Sequence, residues 1–327
     1  MNRKNIGIVG ATGLVGRKML EVLEEYGLLF NKVKLFASKK SVGNILKFQN
    51  RDLIIEELKE GCFLELDYVL FSAGSEISKR WAIQAENEGC IVIDNSSAFR
   101  NNDDISLIVS SINMDDFFKS QRKIIANPNC STIQSVVVLN EINKVNPLNK
   151  IIYSTYQSIS GAGKKAIDDY ENETSNYFPL NIKRTCIPLI GDILDNNYTT
   201  EEMKMIFETK KILHNNNLNI SATCIRVPVI YCHGVNMYIE CQNKIDINLI
   251  KKQLALCPDI VIMDDNQLNL FPSSLIAKDN DLVYVGRIRN DINNAYAMWI
   301  YCVSDNLRIG AASNSVKILK NLLLKDQ

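Results

Sequence analysis

Through about residue 130 the chain alternates two rhythms. Short apolar runs bounded by polar turns, at Asn5–Val9, Lys32–Ala37, Asp67–Phe71, Cys90–Asp94, Leu107–Val109 and Lys123–Ala126, read as strands. Between them, apolar residues return every three or four positions. Val15, Met19, Val22, Leu23 and Tyr26 form one such stripe, closed by Gly27; Glu76–Glu88 forms another, closed by Gly89; Ile133–Leu139 starts a third. Strand–helix alternation of this kind predicts an α/β fold with a doubly wound, mostly parallel sheet of Rossmann type, whose ligands lie at the carboxyl ends of the strands. Beyond that point the strands lengthen: Ile151–Ile159, Ile220–Ile230, Val235–Cys241, Leu282–Ile288 and Ala295–Val303. Helices at Lys164–Tyr170, Thr200–Leu213 and Asp246–Leu256 separate them, the last with Asp246 as its N-cap. The expectation is a dinucleotide-binding domain over 1–129 and a second α/β catalytic and dimerisation domain over 130–305. A final helix within 306–327, reading as roughly Asn306–Leu324, should pack back on the first domain.

Chemistry-bearing residues fall at the predicted strand ends. Gly10, Thr12, Gly13, Leu14, Val15 and Gly16 lie in a turn between the first strand and the first helix, where glycines let backbone approach a pyrophosphate at a helix N-terminus. An acidic residue at the end of the next strand would select NAD; Ser38-Lys39-Lys40-Ser41 stands there instead, two cations and two hydroxyls suited to a 2′-phosphate and hence to NADP. Ser72-Ala73-Gly74 ends the following strand. Cys130 sits between Asn127-Pro128-Asn129 and Ser131-Thr132 at the start of an apolar helix, where the positive end of the helix favours thiolate over thiol and the residue reads as a nucleophile. Of the two histidines, His214 lies in an asparagine-rich loop and His233 at a strand end, so His233 is the candidate acid/base. Arg100 and Arg226, set in otherwise apolar or small surroundings, suit carboxylate and phosphate. Gln157, just before the Ser160-Gly161-Ala162-Gly163 turn, is placed to orient an acyl group or donate to an oxyanion.

Composition narrows the partner. The 327 residues carry 37 basic and 37 acidic side chains with no long charged run, which removes the electrostatic case for nucleic acid or anionic membrane and favours a small substrate. No apolar run approaches the ~20 residues that span a bilayer, and the first strand begins almost at Met1; a cytoplasmic protein is expected. Nine cysteines with no CxxC spacing argue against a disulfide framework and against a metal site.

Five ordered motifs, Gly10-Ala11-Thr12-Gly13-Leu14-Val15-Gly16, Val92-Ile93-Asp94-Asn95-Ser96-Ser97-Ala98-Phe99-Arg100, Asn127-Pro128-Asn129-Cys130-Ser131-Thr132, Tyr153-Ser154-Thr155-Tyr156-Gln157 and Arg226-Val227-Pro228, give the chain a resemblance that runs almost end to end. It resembles the bacterial-type aspartate-β-semialdehyde dehydrogenases. The resemblance implies NADPH-dependent reductive dephosphorylation of L-4-aspartyl phosphate to L-aspartate 4-semialdehyde and phosphate, a step toward lysine, methionine, threonine and diaminopimelate, by a homodimer or a dimer of dimers. It implies Cys130 as the nucleophile that carries the acyl group, His233 as acid/base and Gln157 as the residue that orients the acyl group. Arg226 would bind the α-carboxylate, Arg100 and Asn129 the phosphate, Glu208 the amino group and Lys211 the phosphate, with Ser160, Gly161 and Asn306 joining the cofactor site. The chain departs from the pattern at His233-Gly234-Val235, where relatives carry His-Ser-Glu, at Lys40, commonly arginine, and at Ser110-Ser111 in place of Pro-Glu. A sister enzyme such as N-acetyl-γ-glutamyl-phosphate reductase, glyceraldehyde-3-phosphate dehydrogenase, or a non-catalytic dinucleotide-binding paralogue is the competing reading.

Overall fold

The computed structural model describes residues 3–325; the ends of the expected 1–129 domain and 306–327 helix at positions 1–2 and 326–327 lie outside the described residues. Two compact units divide at Pro128/Asn129 and Gly310/Ala311, the first made of Met1–Pro128 with Ala311–Gln327 and the second of Asn129–Gly310.

In the first unit the chain runs β1 (Asn5–Val9), α1 (Leu14–Glu25), β2 (Lys32–Ala37), β3 (Ile45–Phe48), β4 (Arg51–Glu57), β5 (Tyr68–Phe71), α2 (Ser75–Asn87), β6 (Ile91–Asp94), β7 (Ser106–Leu107) and β8 (Ile124–Ala126). The strands form one sheet in the order β3-β4-β2-β1-β5-β6-β8-β7, parallel except for the β3–β4 hairpin. Its central strands are buried on both faces, as a sheet covered by helices on each side requires. The hairpin was not expected. Its strands are half exposed and its turn, Gln49-Asn50, takes positive φ at both residues (50° and 59°) without a glycine to announce it. Gly10 turns the chain out of β1 at φ +83°, and a Cβ there would lie 2.8 Å from the Ser72 carbonyl oxygen, so only glycine fits this strand end.

The second unit comprises α3 (Cys130–Val145), β9 (Leu148–Gln157), α4 (Lys164–Asn172), α5 (Thr200–Ile212), β10 (Asn219–Arg226), β11 (His233–Cys241), α6 (Ile247–Ala255), β12 (Ile260–Ile262), α7 (Ser274–Ala277), β13 (Val283–Asn290) and β14 (Ala297–Ser304). Its mixed sheet has the order β10-β9-β11-β14-β13-β12. β9 pairs in parallel with β10, Gln157 opposite Arg226, and antiparallel with β11, Tyr156 opposite Gly234. The ends of β9 and β10 and the start of β11 therefore meet at one edge of this sheet. Asp246 caps α6 through its side chain, as its spacing predicts.

The expected helix over Asn306–Leu324 is corrected at its start. The Asp305 carboxylate accepts from the backbone N–H of Leu307 and Arg308, a wide π-helical turn follows at Arg308–Ala312, and regular helix begins only with α8 (Ser313–Lys325). α8 belongs to the first unit and lays Val316, Ile318, Leu319 and Leu322 in the same core as Met19, Leu20, Val22 and Leu23 of α1. Among the described residues, no helix is long and apolar enough to cross a membrane and no group of three or more His, Cys, Asp or Glu side chains is arranged to hold a metal.

Candidate active site

The site in the second unit is built around the first turn of α3. Asn129 caps it, its Oδ1 accepting from the N–H of Ser131 (2.9 Å) and Thr132 (3.3 Å), which fixes Cys130 as the first helical residue. Two buried carboxylates of α5 hold the cap in turn: Asn129 Nδ2 donates to Glu201 Oε1 (2.8 Å) and its backbone N–H to Glu208 Oε2 (2.6 Å). Gly310 packs on Cys130 closely enough that a Cβ would come within 2.8 Å of the cysteine Cβ.

Cys130 Sγ lies 3.1 Å from His233 Nε2. On the far side of the ring, Nδ1 accepts the backbone N–H of Ser158 (2.9 Å), with Ser158 Oγ at 3.0 Å. A nitrogen that accepts carries no proton, so the neutral ring bears its hydrogen on Nε2, facing the sulfur. Complete burial, with the Arg226 charge beside it, pulls the imidazolium down to about 3. Behind Ser158, Asn306 Oδ1 accepts from Ser158 Oγ (3.0 Å), Ser160 Oγ (3.2 Å) and the Cys232 N–H (3.0 Å), and Gly161 stands against the ring edge. Arg226, buried at the end of β10, donates through Nη1 to the Ser158 carbonyl. Gln157 Nε2 donates to Glu201 Oε1 (3.2 Å) and Thr155 Oγ1 (3.3 Å). Burial would raise the Glu201 carboxyl, but the Lys204 charge and the hydrogen bonds from Asn129, Lys204 and Gln157 outweigh it and hold it at about 2. A fixed thiol, an N–H donor aimed at it, a guanidinium and an amide make a site for acyl transfer through a thioester.

The second unit thus brings together Cys130, His233, Gln157, Asn129, Arg226 and Glu208. Lys211 lies one turn beyond Glu208 on α5. Ser160, Gly161 and Asn306, expected at the cofactor, form the layer behind the imidazole. Sequence reasoning missed Ser158 and Glu201. Ser158 acts through its backbone, which no residue type announces. Glu201 had a signal: positions 201, 204, 208 and 211 share one face of a helix whose start is marked by the Thr199/Glu202 capping box, and two of those charged residues are buried.

The first unit holds the other predicted residues. The turn after β1 is tied to β2 by bonds from the Gly10 and Ala11 N–H to the Phe36 carbonyl (2.8 and 3.1 Å). Gly13 precedes α1 with no capping side chain, and the first turn carries no acidic residue. A Cβ on Gly16 would lie 2.2 Å from the Gly10 carbonyl oxygen, so this side-chain-free cradle fits a pyrophosphate approached by backbone. Ser72 Oγ donates to the Val9 and Gly10 carbonyls (both 3.2 Å). Ser38 and Lys40 are exposed and Ser41 half-buried after β2. Arg100 is buried, with Nη2 on the Asn95 carbonyl (2.7 Å), and Asp94 braces this loop by accepting from Ser78 Oγ (2.7 Å) and Ser96 Oγ (2.6 Å).

Residues 5–120 match the semialdehyde dehydrogenase NAD binding domain, and residues 139–309 match the semialdehyde dehydrogenase dimerisation domain. Over 98% of both chains the protein is 41% identical to the aspartate-semialdehyde dehydrogenase of Aquifex aeolicus, and over the same share 39% identical to that of Campylobacter jejuni. The chain belongs to the aspartate-semialdehyde dehydrogenase family. Crystal structures of the Vibrio cholerae aspartate semialdehyde dehydrogenase II, one of them complexed with ASA, superpose with a TM-score of 0.95 at 38% identity over 99% of each chain. Against the aspartate-semialdehyde dehydrogenase pattern, the Gly234 departure has a local cause. A Cβ at position 234 would fall 2.1 Å from the Tyr301 hydroxyl, so the tyrosine fills the space that a serine side chain would need. The polar support of His233 comes from Ser158 and Asn306.

Proposed function

We propose that the protein reduces L-4-aspartyl phosphate to L-aspartate 4-semialdehyde with release of phosphate, preferring NADPH and working as a cytoplasmic homodimer. The observation that carries this reading is the 3.1 Å contact between Cys130 Sγ and the proton-bearing Nε2 of His233 at the head of α3.

The Cys130 thiolate, facing the positive end of α3, attacks the acyl carbon; a C–S bond forms, the C–O bond to phosphate breaks, and the electron pair leaves with phosphate. Arg226 holds the α-carboxylate, Glu208 the ammonium, and Asn129 and Lys211 the phosphate, while Gln157 keeps the acyl group in line. The Gly10–Gly16 turn would hold the pyrophosphate of a nicotinamide dinucleotide, and the chemistry such a group would supply is the hydride that reduces a thioester. His233 would meet the oxyanion of the reduced thioester with its Nε2–H, donating a hydrogen bond and taking back any proton it transfers as collapse restores the C=O bond, breaks the C–S bond and returns the thiolate. Because the Ser158 N–H occupies Nδ1, His233 works from one nitrogen only. The dimerisation-domain match supports the homodimer, and the absence of an acidic residue directly after β2 supports the 2′-phosphorylated cofactor.

The test is phosphate-dependent reduction of NADP by purified protein with L-aspartate 4-semialdehyde, run beside NAD and beside N-acetyl-L-glutamate 5-semialdehyde. Turnover should be highest with NADP and aspartate semialdehyde, and should fall by about two orders of magnitude or more in Cys130→Ala. Full activity in that variant, or preference for the N-acetyl substrate, overturns the proposal.

A further inference from the structure

The carboxyl ends of β2 and β4 lie side by side, Ala37 opposite Glu57, and with the first turns of α2 they line an open cleft of about 430 Å³. Its wall includes Ser38, Lys39, Glu57, Ile77, Arg80 and Trp81. In a doubly wound sheet with a dinucleotide on the β1 turn, the adenosine ribose reaches this strand end, so the cleft is where a 2′-hydroxyl or 2′-phosphate is told apart. Lys40, the cation expected from the sequence, is exposed and directly follows Lys39 of the wall.

Two features of the wall oppose each other. The Arg80 guanidinium lies over the Trp81 ring, 4.8 Å from its centroid, which holds a planar double donor at the cleft. Glu57, by contrast, brings a carboxylate to the place where an NAD-selecting acid acts, supplied by β4 in place of β2, and it is paired with Lys39 (3.3 Å). Lys59 and Glu60 add one charge of each sign to the wall, so an anion entering the cleft meets Arg80 as its planar double donor and Glu57 as the carboxylate that competes for Lys39.

We propose that Arg80 is the group that binds the cofactor 2′-phosphate and that Glu57, by engaging Lys39 and accepting from an unphosphorylated 2′-hydroxyl, weakens the discrimination between NADP and NAD. This rests on the reading of the first unit as the dinucleotide site. The same pair of residues sets the ratio in both directions: losing Glu57 frees Lys39 for the phosphate, and losing Arg80 removes the double donor and leaves the phosphate to the lysines of a wall that also carries Glu57 and Glu60.

The test is equilibrium binding of 2′,5′-ADP and of 5′-ADP, measured by calorimetry on full-length protein without substrate. Glu57→Gln should tighten 2′,5′-ADP about three- to tenfold and leave 5′-ADP unchanged or weaker. Arg80→Gln should weaken 2′,5′-ADP about tenfold or more with 5′-ADP changed less than about twofold. Both side chains are exposed, so the fold should survive either change, and retained 5′-ADP binding reports that it has. If both variants bind both nucleotides in the wild-type ratio, the assignment of Glu57 and Arg80 is overturned while the dinucleotide site stands. If the wild type binds neither nucleotide, the reading beneath it falls too.

Discussion

Replacing His233 with glutamine should remove a specific part of the protein's acid sensitivity. In the native state the ring is fully buried, its Nδ1 accepts the Ser158 N–H, and protonation would put two hydrogens against each other beside the Arg226 charge; these features hold its pKa near about 3. In the unfolded chain it titrates near ~6.5. A folded-state value below the unfolded one means that the unfolded state takes up the proton first. The stabilisation is therefore complete above about pH 6.5 and drains away as pH falls toward 3. Integrating the linkage gives a loss of about 1 kcal/mol at pH 6 and about 2 kcal/mol at pH 5, relative to pH 8. Urea unfolding of wild type and His233→Gln at these three values should show the wild type losing that much more than the variant, whose own starting stability cancels from the comparison. The chain has only two histidines, and His214 is exposed, so selective 15N-histidine labelling gives two resolvable rings. The His233 ring should stay neutral through pH 5 with its proton on Nε2. Parallel stability losses in the two proteins, or a His233 ring that charges near pH 6.5, would refute the reasoning.

The other expectations follow from the same buried layer. Glu201→Gln leaves the Lys204 ammonium without its carboxylate and weakens the bonds to Asn129 and Gln157; the urea midpoint should report a loss of about 1–3 kcal/mol at neutral pH. Because the folded Glu201 carboxyl lies at about 2, below its unfolded value, its contribution is present above about pH 4.3 and disappears as pH drops toward 2, so wild type and variant should converge in acid. Gly234→Ser forces a Cβ into the Tyr301 hydroxyl and should destabilise by about 1–3 kcal/mol, with most of the loss recovered in the double variant carrying Tyr301→Phe; no recovery would mean that the tyrosine is not the obstacle.

What the sequence made legible was whatever repeats with a period or announces itself by residue type. The parallel sheet of the first unit, the glycine turn after β1 and the helix starting at Cys130 follow from apolar spacing and from residues such as Gly10 that only one conformation explains. The β3–β4 hairpin was silent because Gln49 and Asn50 adopt positive φ without glycine and its strands are half exposed. The start of the last helix was misplaced because Asp305 diverts the chain through a π turn, whose wider spacing an apolar stripe of period 3.6 does not reveal. In the site, Cys130 stood out by its position at a helix start and His233 by scarcity and position. Ser158 did not, since its contribution to the base is a main-chain N–H, and Glu201 was hidden in a helix whose charged stripe, read alone, passes for a solvated face.

The cap on the nucleophile has one more implication. Asn129 is held by two acidic side chains that arrive in the chain more than seventy residues later. The reactive centre therefore draws on the docked α5 helix as well as on the local cap of α3, so a change on α5 reaches the nucleophile through Asn129.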